Sequence, residues 1–350
     1  MSDTMHDAAV LIGRFQPFHH GHAALLREAL AIAPRVVVVL GSAHQARTPR
    51  NPFTWEERAA MIRLAAGADA ERVALAPVRD RYDDAKWVAS VQAAVQAAAP
   101  EAQRVALVGH FKDHTSYYLA RFAQWTLAAQ ERSGPLDAVE LRAALLGAAP
   151  AARAAAVELV SQHVPREVGH LIDAWTRLPF LDALHEEWTI LARERAQWSH
   201  APYPPVFVTV DALVTCAERV LLIERGRAPG RGLLALPGGF VEQGEWLYAA
   251  AKRELREETG LDLLDSELDD CFVAARVFDH PRRSQRGRVI THVHRFELRA
   301  ARCPQVAGDD DAESAAWMPI DSLAAREDRF HDDHFHILDD FLGLVPAELH

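Results

Sequence analysis

The sequence contains only three cysteines in 350 residues, and no two of them form a CxxC pair. Cys216, Cys271 and Cys303 are too few and too widely spaced to indicate a disulfide framework or a pair of zinc ligands. We therefore expect three reduced thiols, as in a cytoplasmic protein.

Long apolar runs are also missing. No stretch reaches the roughly 18–20 consecutive apolar residues that a membrane-spanning helix needs. The N-terminus has no basic segment followed by an apolar one, so no secretory signal is recognised. These absences predict a cytoplasmic protein that has no membrane partner.

Basic residues are fewer than acidic ones: the chain has 38 Lys and Arg and 49 Asp and Glu, which gives a formal net charge of −11. Nucleic-acid-binding proteins hold phosphates with clustered Lys and Arg, so we expect no nucleic-acid partner. A small polyphosphate needs only a local cationic pocket or a bound metal, so the negative net charge does not exclude nucleotide substrates. The sequence does not fix the oligomeric state, and a homo-oligomer is compatible with it.

A proline-rich segment divides the chain. Pro202, Pro204 and Pro205 cannot continue a helix, and they stiffen the chain into an extended connector. A chain of 350 residues also exceeds one typical core. We predict two domains, 1–198 and 206–350, joined by a linker at 199–205.

Before the linker, strand-like and helix-like segments alternate. The predicted strands are Ala8–Gly13, Arg35–Leu40, Arg72–Val78 and Val105–Gly109. The predicted helices are His22–Ala33, a helix opened by a Thr54/Glu57 capping box, Asp84–Ala99, and most of 137–197. This alternation indicates an α/β fold with a Rossmann-like parallel sheet covered on both faces.

After the linker the pattern changes. The predicted strands are Val206–Val214, Arg219–Ile223, Cys271–Val277 and Val289–Leu298, and the predicted helices are Trp246–Thr259 and His331–Leu342. Strands that follow one another directly, with helices between later ones, indicate a mixed sheet packed between helices in an α/β/α arrangement.

The first motif lies between the first strand and the first helix, at Gly13–His22, and reads GRFQPFHHGH. This is the carboxyl edge of a parallel sheet, where α/β proteins bind ligands, and a helix N-terminus there attracts phosphate. His19 and His22 can place two imidazole donors on one phosphate oxygen as negative charge develops. The alternative is a loop whose histidines are incidental.

This segment resembles the HxGH nucleotidyltransferase superfamily, and residues 9–195 resemble archaeal-type NMN adenylyltransferases within it. Further matching segments are Gly41–Ala43, Arg50–Thr54 with Glu57 and Arg58, Tyr82–Asp84 with Trp87, and Gly109, His110, Lys112, Asp113 and Ser116–Tyr118. The resemblance implies a catalytic set of His19, His22 and Arg142, and substrate-binding positions at Gly13, Arg14, Phe15, Arg50, Trp87 and Gly109. Within the second set, Arg14 and Arg50 would hold phosphates and Trp87 would stack on nicotinamide. On its residue type alone, Trp87 is equally well explained as a helix-packing residue.

The sequence departs from that family at two places. The family has an I-S-x-T-x-x-R turn where this chain has Leu136–Arg142, so Asp137 and Val139 replace two hydroxyl residues. Asp83 replaces an asparagine of the family. Both changes bear on how well ATP is held.

The second motif spaces Gly239, Glu245 and Arg253–Leu261 in the pattern G-x5-E-x7-R-E-U-x-E-E-x-G-U, where U is apolar. Glu254, Glu257 and Glu258 fall at i, i+3 and i+4, so one helical face presents three carboxylates. Three neighbouring carboxylates repel unless a hard cation lies among them, and oxygen ligands suit Mg²⁺ or Mn²⁺. The alternative is a solvated, charged surface helix.

This pattern resembles the signature of Nudix hydrolases, over residues 206–345. The resemblance implies metal binding by Glu254, Glu257, Glu258 and the Gly238 carbonyl, and bracing by Gly239, Glu245, Arg253 and Gly260. Asp309–Asp311 and Glu313 are candidates for a further metal ligand, or else an acidic surface turn. Lys252 lies outside the fixed positions and is expected to be exposed.

Together the two resemblances imply an enzyme with two activities in NAD metabolism. One makes NAD and pyrophosphate from NMN and ATP, and the other hydrolyses ADP-ribose to AMP and ribose 5-phosphate with a divalent metal. The SQPWPFP-like stretch of NADH-cleaving relatives is not found. The alternatives are a Nudix hydrolase of another nucleoside diphosphate derivative beside an HxGH domain of different substrate, or a metabolite sensor that only binds.

Overall fold

The computed structural model describes residues 6–109, 121–129 and 137–345. Within these ranges the chain divides into two compact units, between His185 and Glu186, and each unit contains one β-sheet. Across the described residues, no helix combines the length and the apolar character required to cross a bilayer.

The first unit has a five-stranded sheet whose strands are all parallel, in the order β3-β2-β1-β4-β5. The strands are β1 Ala8–Gly13, β2 Arg35–Leu40, β3 Val73–Pro77, β4 Val105–Gly109 and β5 Thr126–Ala129. The predicted Rossmann-like parallel sheet is therefore confirmed. Every residue of Val36–Leu40 is buried, because helices cover both faces of this central region.

The helices of the first unit follow the predicted alternation. They are α1 His20–Ile32, α2 Trp55–Ala66, α3 Asp84–Ala98, α4 Ala138–Gly147, α5 Arg153–Ser161 and α6 Arg166–Trp175, and α7 Phe180–Gln197 begins in this unit and continues into the second. The capping box that opens α2 is confirmed, because the Thr54 amide donates to the Glu57 carboxylate at 2.8 Å and the Glu57 amide donates to the Thr54 hydroxyl at 3.3 Å.

The second unit has a mixed sheet in the order β10-β11-β6-β7-β12, to which β8 and β9 add short pairings with β7 and β6. Its strands are β6 Val206–Cys216, β7 Arg219–Arg225, β8 Leu234–Ala235, β9 Gly238–Phe240, β10 Phe272–Phe278, β11 Arg288–Leu298 and β12 Ala312–Pro319. Its helices are α8 Leu247–Thr259, α9 Asp265–Asp270 and α10 His334–Leu342. Leu213 packs with α10 on one face, and its neighbour Ala212 packs with α8 on the other, which gives the predicted α/β/α layers.

The division between the units falls inside α7, earlier than the predicted linker at 199–205. Residues 198–205 contain no helix or strand, as their prolines require. However, Arg195 donates to the Gln285 carbonyl at 2.8 Å, and Glu194 pairs with Arg286 at 3.6 Å. The end of α7 therefore belongs to the second unit, a contact that the composition of the linker could not reveal.

Candidate active sites

The Gly13–His22 segment leaves the carboxyl end of β1, the central strand of the first sheet. In the sheet, β2 lies on one side of β1 and β4 lies on the other. The first three strands are therefore added in one direction from β1, and the next two are added in the opposite direction. Such a switch point opens a crevice at the carboxyl edge of a parallel sheet. The Gly41 amide, just after β2, donates to the Gly13 carbonyl at 3.0 Å and closes the floor of this crevice.

The structure brings the two motif histidines together at the start of α1. His19 is the N-cap, and its Nδ1 accepts the Gly21 amide at 3.1 Å, while Nδ1 of His22 accepts the His19 amide at 3.3 Å. The two rings stack with their centroids 3.8 Å apart. Because Nδ1 is the acceptor in both rings, each neutral imidazole is assigned its proton on Nε2, the atom that can donate to a phosphate oxygen.

Backbone contacts fix the rest of the loop. Gln16 donates to the Phe53 carbonyl at 2.7 Å and accepts the Phe53 amide at 2.9 Å. Phe15 is buried with φ +52°, and its ring packs against Gly13, where an added Cβ would lie 3.0 Å from the ring. Phe15 and Gly13 thus shape the loop from within.

Three arginines concentrate positive charge beside this loop. Arg142 is buried on α4 and donates to the Gln16 carbonyl at 2.6 Å. The pKa of Arg142 is lowered to about 10, chiefly by burial and also by the charges of Arg14 and Arg50. Guanidiniums that repel one another in this way favour a bound anion, and a polyphosphate is the anion that three such groups suit.

Two residues that organise this region received no role from sequence reasoning. Arg58 is buried and donates to the carbonyls of Arg14 at 2.7 Å, Gly41 at 2.7 Å and Ser42 at 3.0 Å. Asp80 accepts the Ser42 amide at 3.0 Å and the Ser42 hydroxyl at 2.6 Å. The place of Asp80 just after β3, at the same sheet edge, is the one signal that could have singled it out.

Trp87 and Gly109 lie at the margins of the crevice. Trp87 is half-buried on α3, where it packs against the sheet core and meets the edge of Phe122 with centroids 5.9 Å apart. These contacts favour a packing role, and stacking on nicotinamide stays a prediction. Gly109 ends β4 and is buried. The matching residues His110, Lys112, Asp113 and Ser116–Tyr118 lie outside the described residues.

Both departures from the family place an aspartate at the start of a helix. Asp137 caps α4 by accepting the amides of Val139 at 2.8 Å and Glu140 at 3.2 Å. Asp83 caps α3 by accepting the amides of Ala85 at 2.8 Å and Lys86 at 3.0 Å. Their carboxylates therefore satisfy helix amides that would otherwise lack partners. Leu136, at the start of the departing turn, lies outside the described residues.

In the second unit, α8 carries the signature carboxylates, and Arg253 connects them to the preceding loop. The Arg253 guanidinium makes two hydrogen bonds to Glu245, both at 3.0 Å. Its Nη1 also donates to Glu254 and to Glu257, each at 2.8 Å. One guanidinium thus joins the loop to the helix and offsets the repulsion among these three acids.

The third helix carboxylate, Glu258, is buried against the glycine turn. It accepts the Gly238 amide at 2.8 Å, and burial raises its pKa to about 8. An added Cβ at Gly239 would lie 2.6 Å from Oε1 of Glu254, and one at Gly238 would overlap the Val210 carbonyl. Gly239 therefore lets β9 approach α8, and Gly238 lets β9 approach β6. Gly260 ends α8 with φ +59°.

The donor chemistry of this helix face fits a divalent cation. Among the described residues, no three His, Cys, Asp or Glu side chains lie close enough together to hold one ion, and on α8 the Arg253 guanidinium pairs with Glu254 and Glu257. The donors that this face offers are carboxylate oxygens. Burial raises the pKa of Glu254, as it does that of Glu258. A divalent cation would stabilise the charged form of these buried acids, and oxygen-rich sites of this kind suit Mg²⁺ or Mn²⁺.

The later acidic turn supplies one group near that face. The charge of Asp310 raises the pKa of Glu254, so Asp310 is the candidate that acts on the helix. Asp311 instead pairs with Arg227 at 2.5 Å, and Asp309 donates its amide to the Glu258 carbonyl at 3.4 Å. Glu313 is exposed on β12.

The expectation that Lys252 is exposed is wrong. Lys252 is 7% exposed, and its ammonium pairs with Asp269 at 3.0 Å and with Asp265 at 3.2 Å. It also lies over the Tyr248 ring, 4.6 Å from the centroid. The short helix α9, which the sequence pattern did not predict, covers this side of α8 and supplies both aspartates.

Sequence comparisons assign a family to each unit. The NUDIX domain profile matches residues 205–341, and the Cytidylyltransferase-like profile matches residues 10–80. A nicotinamide/nicotinic acid mononucleotide adenylyltransferase of Acinetobacter baylyi is 43% identical over 36% of this chain and 67% of its own length. An ADP-ribose pyrophosphatase of Methanocaldococcus jannaschii is 33% identical over 39% of this chain and 72% of its own length.

A solved structure matches both units at once. The bifunctional NMN adenylyltransferase/ADP ribose pyrophosphatase of Francisella tularensis is 32% identical, with a TM-score of 0.87 over 97% of this chain and 99% of that one. A second structure from that organism, complexed with AMP and a Mn ion, is 31% identical with the same TM-score of 0.87. The chain therefore belongs to the family of bifunctional NMN adenylyltransferase/ADP-ribose pyrophosphatases.

Proposed function

We propose that this protein makes NAD and pyrophosphate from NMN and ATP in its first unit and hydrolyses ADP-ribose in its second. The observation that carries the proposal is that the chain contains both motif sites, one in each unit. A bifunctional relative matches 97% of this chain, and so includes both sites. The substrates are small molecules, and the hydrolysis requires a divalent metal, Mg²⁺ or Mn²⁺.

In the synthetic reaction, a phosphate oxygen of NMN attacks the α-phosphorus of ATP in line, and pyrophosphate leaves. No covalent enzyme intermediate is needed, because positioning and charge stabilisation are sufficient for such a transfer. The Nε2–H groups of His19 and His22 donate to the α-phosphate oxygen on which charge accumulates. Arg14, Arg50 and Arg142 hold the other phosphate oxygens.

In the hydrolytic reaction, water attacks one phosphorus of ADP-ribose, and the bridging P–O bond breaks to give AMP and ribose 5-phosphate. A bound divalent metal neutralises diphosphate charge and acidifies the attacking water. Glu254, Glu257 and Glu258 would hold that metal, with the Gly238 carbonyl as a further ligand. Arg253 and Glu245 keep the loop and the helix together, so these donors stay on one face.

Product analysis tests both activities in one preparation. The purified protein is incubated with Mg²⁺ and NMN plus ATP, and separately with ADP-ribose or NADH, and products are separated by chromatography. We expect NAD and pyrophosphate from the first mixture, and AMP with ribose 5-phosphate from ADP-ribose. Binding of NMN and ATP without turnover would contradict the synthetic assignment and favour a sensor, and faster cleavage of NADH would contradict the hydrolytic one.

A further inference from the structure

Arg47 is an arginine of the first unit that belongs to none of the family-matching segments. It lies in the loop between β2 and α2, three residues before Arg50. Its guanidinium makes two hydrogen bonds to the Glu57 carboxylate, at 2.7 Å and 3.0 Å, and it also donates to the Pro52 carbonyl. The Arg47 and Glu57 side chains are 21% and 23% exposed, so solvent weakens this two-bond ion pair less than a pair at the surface.

The Arg47 guanidinium also contacts an aromatic cluster where α6 ends and α7 begins. Its central carbon lies 3.9 Å from the ring centroid of Phe180, the first residue of α7, and 6.0 Å from that of Trp175, the last residue of α6. The Trp175 ring packs in turn against Phe53, with centroids 4.4 Å apart. A guanidinium that is bonded to a carboxylate and stacked on a ring has little freedom left.

Residues 47–52 form a closed turn that carries Arg50, and we refer to them as the Arg50 turn. The Thr48 amide donates to the Asn51 carbonyl at 3.3 Å, and the Asn51 amide donates to the Thr48 hydroxyl at 3.2 Å. The hydrogen bond from Arg47 to the Pro52 carbonyl joins the two ends of the same turn. The direction in which Arg50 leaves the loop therefore depends on how this turn is anchored.

The anchors of the Arg50 turn lead to the rest of the synthetic site. Phe53, directly after the turn, exchanges two backbone hydrogen bonds with Gln16, in the loop of the motif histidines, at 2.7 Å and 2.9 Å. Glu57, the partner of Arg47, also accepts the Thr54 amide at 2.8 Å and so belongs to the first turn of α2. Hydrogen bonds between a guanidinium and a phosphate are directional, so a small shift of the turn would cost Arg50 its contacts.

We propose that Arg47 is a positioning residue of the synthetic site: it joins the Arg50 turn to α2 and to the start of α7, and so holds Arg50 where it binds a phosphate group of ATP. The proposal rests on the proposed NAD synthesis of the first unit. Arg47 itself touches no substrate in this scheme. Glu57 gains a second role beside the capping of α2, and the Phe180 ring becomes part of the support of the phosphate site.

Arg72 provides a matched control for a purely structural role. Its guanidinium also joins separate segments, because it pairs with Asp69 at 2.8 Å and donates to the carbonyls of Leu30 at 2.6 Å and Ala33 at 2.9 Å. It directly precedes β3, so it lies at the amino edge of the sheet, away from the crevice. If Arg47 only stabilises the fold, Arg47→Met and Arg72→Met should both lower the melting temperature and leave NAD synthesis alike.

The experiment compares Arg47→Met, Arg47→Lys and Arg72→Met in the full chain. For Arg47→Met we expect kcat/KM for ATP to fall by up to about 10²-fold, the cost of misplacing a binding group by about 1 Å. Arg47→Lys keeps the charge that faces Glu57 but lacks the planar fork, so its loss should be intermediate. Arg72→Met should make NAD at the normal rate, and ADP-ribose hydrolysis should be normal in all three variants.

Two further measurements test whether Arg47 acts through Arg50. In a double-mutant cycle, Arg47→Met should add little to the loss that Arg50→Ala already causes. Calorimetry with inorganic tripolyphosphate and no metal should show weaker binding in Arg47→Met and in Arg50→Ala, and normal binding in Arg72→Met. Should Arg47→Met fail to fold, Phe180→Leu removes only the ring beneath the guanidinium and should give a smaller loss in the same direction.

The outcomes separate this proposal from the proposed function. Normal kcat/KM together with normal tripolyphosphate binding in Arg47→Met overturns the positioning role. A full further loss from Arg47→Met in the Arg50→Ala background also overturns it, because Arg47 would then act without Arg50. Binding needs no turnover, so a protein that makes no NAD refutes the proposed function, while the tripolyphosphate comparison still decides the role of Arg47.

Discussion

At the scale of single residues, His19 and His22 are the groups placed to stabilise the transition state of NAD synthesis. We expect His19→Ala or His22→Ala to lower kcat by about 10²–10³-fold, because each removes one donor to the developing charge. His19 also caps α1, so its alanine variant should lose about 1 kcal/mol of stability as well. Steady-state kinetics and thermal melting measure the two effects separately.

His20 is the matched control for these variants. It lies between the two histidines of the motif but is exposed. His20→Ala should therefore leave the rate of NAD synthesis near that of the unchanged protein. Near-normal turnover in both His19→Ala and His22→Ala would refute their assignment.

Glu257 tests the metal-binding face of the hydrolase. Glu257→Gln keeps the size of the side chain but removes one negative charge, so ADP-ribose hydrolysis should fall steeply and extra Mn²⁺ should restore part of it. NAD synthesis should be unaffected, because that site lies in the other unit. Exposed Glu218, in the β6–β7 turn, provides the control Glu218→Gln, which should hydrolyse normally. Full hydrolysis by Glu257→Gln, or in excess chelator, would show that α8 is not the metal site.

Lys252 shows what residue-level reasoning missed. Its buried ammonium pairs with two aspartates that are themselves more than half exposed, at 64% and 52%. Solvent weakens these pairs, so Lys252→Gln should lower stability by about 1 kcal/mol. A shift in melting temperature measures this loss, and an unchanged melting temperature would mean that the pairs contribute nothing.

The signature residues could be predicted because their chemistry fixes their spacing. Glu254, Glu257 and Glu258 must share a helical face, and that requirement is visible in sequence. Asp80 carries no such spacing, since it gains its role only from the Ser42 amide and hydroxyl that folding brings beside it.

At the scale of elements, the start of α4 tests the departure from the family pattern. Val139 is 56% exposed, so Val139→Thr should leave stability unchanged. Because it restores a hydroxyl of the family's turn, it should leave NAD synthesis unchanged or lower the KM for ATP. A marked loss of activity would show that the family's turn and residues 136–142 do not correspond.

The strands that sequence predicted well are the buried ones. The predicted bounds of β1, β2 and β4 match the structure, because continuous burial requires a run of apolar residues. β5 was missed because three of its four residues are exposed and carry no apolar pattern. β12 was missed because its sequence, AESAAWMP, shows no regular apolar–polar alternation, and its place at the sheet edge relaxes the need for apolar side chains.

At the scale of the whole molecule, the position of the unit boundary changes which fragments should fold. Fragments 1–200 and 180–350 both retain α7, and we expect each to be soluble and to keep its own activity. Fragment 203–350 begins inside the proline-rich segment and lacks Glu194 and Arg195, which contact Arg286 and Gln285, so its melting temperature and its ADP-ribose hydrolysis should both be lower than those of 180–350. Equal stability and activity in the two hydrolase fragments would place the boundary at the prolines after all.

The shared helix α7 also bears on the history of the gene. The junction that is visible in the sequence is the proline-rich segment, whereas the division between the compact units falls within the helix α7. Recombination at the visible junction would release a hydrolase gene without the codons for Glu194 and Arg195, which contact Arg286 and Gln285. A hydrolase encoded by such a gene would have to form other contacts in their place, so separating the two activities requires more than a cut at the prolines.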